Sequence, residues 1–194
     1  LSNPDVLKVA VKNARKAILE CKTDAKYIHI GQKDNTNYCR CKKCEELYEK
    51  YGSVSAPTIL FTNAFADALD DEFPDFTFTF YAYNETDIPP TDLSLKCNDN
   101  VVPVICRLHK ACRSHPLTEC GSQDGNETFE NLFGSPEPTI HKDFENWTKI
   151  AKRTYIYDNT IAPSFIGGQG GTWENIKSVA TEMFNQFQFG GQRH

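Results

Sequence analysis

Apolar residues recur along this chain with two alternating periods, one typical of helices and one typical of strands. Helical spacing of apolar positions occurs in residues 4–20, 44–51, 61–69, 144–150 and 173–183. Each stretch also carries polar residues at the intervening positions, so each helix has one side suited to burial. The pattern therefore predicts five amphipathic helices.

Strand-like alternation is clearest in residues 76–83. Phe76, Phe78 and Phe80 fall on one face, and Thr77, Thr79, Tyr81 and Tyr83 fall on the other. Shorter apolar runs at 26–30, 101–105, 153–157 and 186–189 predict four more strands. Pro103 favours the end of a strand or an irregular strand, because proline cannot donate to a ladder. His29 lies among apolar neighbours and is expected to pack in the core.

Strands that alternate with helices predict an α/β fold with a largely parallel sheet of about five strands. The length of 194 residues suits a single domain over residues 1–194. Residues 107–140 have no periodicity and are rich in Cys, Gly and Pro, which indicates a long insertion loop. The glycines of residues 167–171 lack the spacing of a phosphate-binding loop, so no nucleotide cofactor is expected.

The net charge of -5 argues against two classes of partner. A nucleic-acid backbone and an anionic membrane surface both require a basic surface, which this composition does not supply. The apolar runs are also much shorter than the roughly 20 residues of a membrane helix. We therefore expect neither a nucleic-acid partner nor membrane insertion.

Cysteines and glycosylation sequons favour a secreted, extracellular protein. Three Asn-x-Thr sequons begin at Asn84, Asn126 and Asn146. An even number of cysteines is typical of oxidising compartments, so all eight are expected in disulfides, and the spacing leaves their pairing open. The eight are Cys21, Cys39, Cys41, Cys44, Cys97, Cys106, Cys112 and Cys120.

The spacing Cys39-Arg-Cys41-Lys-Lys-Cys44 allows a second interpretation. It resembles a zinc knuckle, for which His109, Cys112 and His115 are possible remote ligands. The sequons favour disulfides over zinc, so no metal is expected. Zinc would become the better hypothesis if the cysteines were reduced.

Polar residues follow several predicted strands, at the edge where parallel α/β sheets usually carry their sites. Asp34 and Asp158 form a candidate catalytic pair of carboxylates, although each could simply satisfy a turn. Two carboxylates across a glycosidic bond can act as acid and as base or nucleophile, and aromatic rings and amides hold sugars. This arrangement would suit a carbohydrate substrate. The expected binding residues nearby are Asn35, Tyr81, Tyr83, Arg107 and Asn159.

Several motifs in a fixed order resemble the domain-of-unknown-function family 4838. Asp34, Tyr83, His115 and Asp158 match motif positions, and the resemblance implies that they line a sugar-binding mouth. It further implies a glycoside-hydrolase-like (β/α)8 TIM barrel, of which this chain would be a part. Cys21 and Cys97 are additions to the family pattern and suggest an extra disulfide. The motifs run from Gln32-Lys-Asp34 through Tyr38, Cys39, Cys41 and Cys44, then Glu72-Phe-Pro-Asp75, Pro89-Pro90, Asp99-Asn-Val-Val102, Cys106-Arg107, Ser114-His115-Pro-Leu117 and Tyr155-Ile-Tyr-Asp158.

Two further observations qualify what the resemblance implies. A full barrel has eight strands in about 250 residues, so a partner chain or a further segment is expected to complete it. The last predicted strand runs into Phe189-Gly190-Gly191-Gln192, whereas the family commonly has Phe-Glu-Gln-Gly. The missing glutamate supports an alternative, a non-catalytic extracellular structural or glycan-binding glycoprotein.

Overall fold

A computed structural model describes residues 1–33, 37–106, 140–157 and 191–192. Strands and helices alternate along these residues, as the periodicity predicts. In chain order the elements are α1 (Pro4–Glu20), β1 (Tyr27–His29), α2 (Lys42–Tyr51), α3 (Ala56–Asp70), β2 (Thr77–Ala82), the 3-10 helix η1 (Asn84–Thr86), β3 (Val101–Cys106), α4 (Ile140–Ile150), β4 (Thr154–Tyr157) and β5 (Gly191–Gln192).

Local sequence signals determine where α1 begins and where α2 ends. The side chain of Asn3 caps α1 by accepting a hydrogen bond from the backbone N–H of Asp5 at 2.9 Å, and Pro4 occupies the first turn. Helix α2 ends at Gly52, whose φ of 68° lies in the left-handed region. A Cβ at Gly52 would lie 2.0 Å from Thr91 Oγ1, so glycine is required there for space as well as for backbone conformation.

The five strands form one parallel sheet in the order β1-β2-β3-β4-β5. Each strand thus pairs with the next strand in the sequence. The register places His29 beside Thr79, Tyr81 beside Val104, and Cys106 beside Tyr157. The predicted α/β class with a parallel sheet is confirmed. The strand predicted at 186–189 and the helix predicted at 173–183 lie outside the described residues.

One side of the sheet, the helix face, carries the main core. Phe78 and Phe80 are fully buried there, against Phe65 of α3 and Trp147 of α4. Trp147 also donates its indole N–H to the carbonyl of Asp87 at 2.9 Å, which ties α4 to the connection after β2. Helix α1 adds partly buried side chains to this core and has no fully buried residue.

The other side of the sheet, here called the second face, is different. Its buried cluster consists of Val102, Val104 and Tyr155, with Tyr81 partly buried against it. Within the described ranges, no helix contributes a residue to this cluster, whereas α3 and α4 both supply the core of the helix face. All described helix packing is therefore on one side of the sheet.

Pro103 was expected at the end of a strand or in an irregular strand, and this expectation is wrong. It lies inside β3, the middle strand, and pairs in register with Phe80. Proline removes one backbone donor, which costs about 1 kcal/mol as a lost hydrogen bond. Burial of five of the six residues of β3 outweighs that loss.

Among the helices in the described ranges, none is both long and apolar enough to cross a membrane.

Candidate functional site

Three rings form a row on the second face, close to the carboxyl ends of the strands. The ring centroids of His29 and Tyr81 are 4.1 Å apart, and those of Tyr81 and Tyr157 are 6.3 Å apart. These residues lie at or near the ends of β1, β2 and β4, so three strands contribute to one surface. We call His29, Tyr81 and Tyr157 the aromatic row.

His29 is exposed and belongs to this row, so the expectation that it packs in the core is wrong. Its Nδ1 lies 3.0 Å from Thr79 Oγ1, a hydrogen bond to the neighbouring strand. Partial desolvation lowers the pKa of His29 below its ordinary value, which favours a neutral imidazole at neutral pH. A neutral ring offers one donor and one acceptor nitrogen.

The loop after β1 is held against the loop after β2. Gln32 Nε2 donates to the carbonyl of Tyr83 at 3.1 Å, and Thr86 Oγ1 lies 3.0 Å from the same carbonyl. Gly31 leaves space beside the His29 ring, since a Cβ at residue 31 would lie 3.0 Å from His29 Nε2. The segments that follow the first two strands are therefore fixed relative to each other.

Only part of the predicted site lies within the described residues. Tyr81 is half-buried in the aromatic row, and Tyr83 follows β2 and precedes η1. Asp34, Asn35, Arg107, His115, Asp158 and Asn159 lie outside the described residues. Asp158 directly follows Tyr157 in the sequence, and Asp34 follows His29 by five positions.

His29 and Gln32 are site residues that the sequence analysis missed. The signal was present, because Ile28 and Ile30 pack against the helix-face core while His29 lies in the opposite phase of the strand. The period of two in this short strand identifies the face of each side chain.

A separate cluster of three thiols lies where α2 begins. The Sγ atoms of Cys39, Cys41 and Cys44 all lie within 4.8 Å of one another. Cys41 is the residue that caps α2, and Cys44 is buried in its first turn. Ser2 Oγ lies 3.4 Å from the Sγ atoms of both Cys41 and Cys44, so the amino-terminal segment contacts the cluster.

The thiols of this cluster differ in acidity. Hydrogen bonds from Ser2, from the backbone of Cys44 and from the neighbouring thiols lower the pKa of Cys41 to about 6. A hydrogen bond to the backbone of Cys41 lowers the pKa of Cys39. Its hydrogen bonds to the other two thiols, its slight burial and the charge of Cys44 together outweigh that effect, so the pKa of Cys39 is raised overall.

The remaining described cysteines have no such neighbours. Burial raises the pKa of both Cys97 and Cys106 to about 12, while Cys21 is exposed at the end of α1. All six described cysteines are free thiols in the structure, and Cys112 and Cys120 lie outside the described residues. The disulfides stay a prediction.

Two of the three sequons lie in ordered local structure. Asn84 starts η1, and the Thr86 of its sequon is 3 % exposed. Asn146 lies on α4 next to Trp147, which is fully buried in the helix-face core. The third sequon, at Asn126, lies outside the described residues. Glycosylation stays a prediction at all three.

Comparison with known proteins gives one match. Residues 1–171 match the family described as a domain of unknown function (DUF4838), and the chain belongs to that family. No curated protein matches the chain. No solved structure matches it either.

Proposed function

We propose that this protein is a carbohydrate-binding, glycoside-hydrolase-like protein whose sugar site is the aromatic row and the strand ends beside it. The observation that carries the proposal is that His29, Tyr81 and Tyr157 meet at 4.1 and 6.3 Å on one surface. Aromatic faces pack against the C–H face of a pyranose ring, and their polar atoms bind its hydroxyls. A row of three rings is long enough to contact more than one sugar unit.

The topology supports a barrel of the TIM type as the architecture of this site. In a doubly wound sheet the strand order reverses and helices cover both faces. Here the order is sequential, and the described helices pack on one face only. A single direction of winding closes into a barrel when enough strands are present, with the second face as its interior.

The described residues form five strands, which are too few to close such a barrel of eight. We propose that a further segment of the protein or a partner chain supplies the others. Both edge strands are very short, with three residues in β1 and two in β5. Short edge strands limit pairing with the wrong partner until the correct one arrives.

Hydrolysis of a glycosidic bond is the activity proposed for this site. Asp34 comes after β1, which carries His29, and Asp158 comes after β4, which carries Tyr157, so both carboxylates follow strands that contribute to the aromatic row. One carboxyl group would protonate the leaving oxygen, and the other would act as nucleophile or as base on water. A separation of about 5 Å would give retention, and one of about 6.5–9.5 Å would give inversion.

A secreted, extracellular location is proposed with this function. It is supported by the three sequons at Asn84, Asn126 and Asn146. Deglycosylation of protein secreted from eukaryotic cells, followed by intact mass measurement, would test it. A chain that carries no glycan at any of the three positions would contradict the predicted glycosylation.

A glycan array followed by calorimetry on the best ligand tests the binding proposal. Tyr81→Ala is expected to weaken binding at least about tenfold, which corresponds to 1.4 kcal/mol. Tyr27→Ala is the matched control, because Tyr27 lies at the opposite end of β1 with its ring 6.3 Å from Tyr155. Equal effects of the two variants would reject the aromatic row as the site. The same conclusion would follow if the wild-type chain, together with the segment that completes the barrel, bound no glycan.

Asp34→Asn and Asp158→Asn separate catalysis from binding. Each variant is expected to keep glycan binding and to lose turnover of the bound glycan. If the wild-type protein binds glycan and releases no product, the non-catalytic glycan-binding alternative is correct. Gly190, at the position where the family resemblance implies a glutamate, favours that alternative.

A further inference from the structure

The cluster of Cys39, Cys41 and Cys44 is independent of the aromatic row and needs its own explanation. Among the described residues, it is the group of metal-ligating side chains whose ligand atoms converge, all within 4.8 Å. Thiolates are the ligands that Zn²⁺ and other soft cations prefer. In a tetrahedral site with Zn–S bonds of about 2.3 Å, the sulfur atoms lie about 3.8 Å apart. The observed spread needs to contract by only about 1 Å to reach that distance.

Disulfide formation explains the cluster less well. A disulfide joins two sulfur atoms at about 2.05 Å, so a local bond uses two of the three thiols and leaves the third to pair with a cysteine outside the cluster. A metal ion uses all three together. The arrangement of three converging sulfur atoms, rather than two, is the feature that separates these alternatives.

We propose that Cys39, Cys41 and Cys44 bind one Zn²⁺ ion as a three-thiolate site whose fourth position is taken by water. The proposal goes beyond the proposed carbohydrate function and does not depend on it. Bound there, the ion would join the segment that follows β1 to the start of α2.

The surroundings of the cluster support a metal that orders this segment. Tyr48 donates its hydroxyl to the carbonyl of Cys39 at 2.6 Å, and the ring of Tyr38 packs edge-on against that of Tyr48. The guanidinium of Arg40 lies 4.6 Å from the centre of the Tyr38 ring. These contacts hold the backbone that carries Cys39 before any ion binds, which lowers the entropic cost of assembling the site.

Charge also favours the ion. Three thiolates and one Zn²⁺ sum to a net charge of about -1 by the formal charges of the ligands. The motif supplies Arg40 and Lys43 to offset it, while Lys42 pairs with Glu46 at 4.0 Å. Ser2 Oγ, 3.4 Å from two of the sulfur atoms, offers a hydroxyl donor to the thiolates.

Metal titration of the reduced, chelator-treated full chain tests the proposal. Native mass spectrometry is expected to detect one Zn²⁺ per chain. Titration with Co²⁺ is expected to produce thiolate-to-cobalt charge-transfer bands and the strong visible bands of a tetrahedral site. Cys39→Ser and Cys41→Ser, both at exposed positions, are each expected to weaken binding by more than the roughly 10- to 100-fold typical of outer-shell changes.

Two further variants keep the test decisive. Cys21→Ser removes an exposed thiol outside the cluster and is expected to bind metal like the wild type. Cys44→His replaces the buried ligand with another metal ligand and is expected to retain one ion with a shifted cobalt spectrum. The proposal is overturned if the reduced wild type binds no metal. It is also overturned if Cys21→Ser weakens binding as much as Cys39→Ser does, or if peptide mapping of native protein finds two of the three cysteines in a disulfide.

Discussion

The two faces of the sheet come from the same strands and have different chemistry. On β2, Phe78 and Phe80 are fully buried under the helices, while Thr79 and Tyr81, on the alternate positions, lie beside His29 on the second face. On the helix face, close packing joins the sheet to the helices. On the second face, polar atoms and aromatic rings lie side by side. This contrast teaches that one strand can supply the helix-packed core with one set of side chains and place the other set, with its polar atoms and rings, outside that core.

Removal of a ring from each face gives the largest expected difference. Phe78→Ala is expected to reduce the free energy of unfolding by about 3–5 kcal/mol, because it leaves a cavity under α3. Tyr157→Ala is expected to cost less than about 1 kcal/mol, since Tyr157 is 53 % exposed. Urea denaturation of both variants measures the difference. A similar cost for the two would mean that the second face is packed as tightly as the helix face.

Gly31→Ala is expected to have a smaller effect, confined to the second face. The new Cβ would lie 3.0 Å from His29 Nε2 and would push the ring by a few tenths of an ångström. Reduced freedom of the unfolded chain, worth about 0.4–1 kcal/mol, offsets part of that strain. The net change in unfolding free energy is therefore expected to stay below about 1 kcal/mol. In NMR spectra of the variant, the His29 ring signals are expected to shift and the Trp147 indole signal to stay unchanged. The reverse pattern would contradict the contact between residue 31 and the His29 ring.

The smallest expected effect is the pH dependence that His29 adds. Its pKa in the folded protein is lowered by desolvation, so between that pKa and about 6.5 the unfolded chain binds more protons at this site than the folded one. The stability that His29 contributes is present above about pH 6.5 and decreases as the pH falls through its folded pKa. His29→Gln is expected to flatten this part of the curve of urea midpoint against pH. An unchanged curve would show that His29 titrates at its ordinary value.

Much of the fold was predictable from the spacing of apolar residues and from local capping signals. In β2 the alternation of Phe and Thr or Tyr gave both the strand and its faces, because burial on the helix side requires a period of two. The Asn3 cap and Pro4 gave the start of α1. Pro103 was misleading, since burial on both faces of a central strand depends on neighbours that local sequence does not identify.

The candidate site was only partly predictable. Tyr81 was placed correctly because its strand was clear, whereas His29 was assigned to the wrong environment. Its apolar neighbours Ile28 and Ile30 suggested burial, although the period of the strand places His29 on the opposite face from them. The convergence of three thiols likewise depends on how the chain between β1 and α2 folds, and spacing alone left zinc and disulfides as alternatives.

The sequential order of the strands also bears on how the protein assembles during synthesis. Because each of the five described strands pairs with the next of them along the chain, each one adds to an edge that already exists, and none of these five has to insert between earlier ones. Contacts between strands that are neighbours in the sequence close only short stretches of chain, and such local contacts favour fast folding. The amino-terminal units are therefore expected to acquire structure on the ribosome before the carboxyl-terminal strands have emerged.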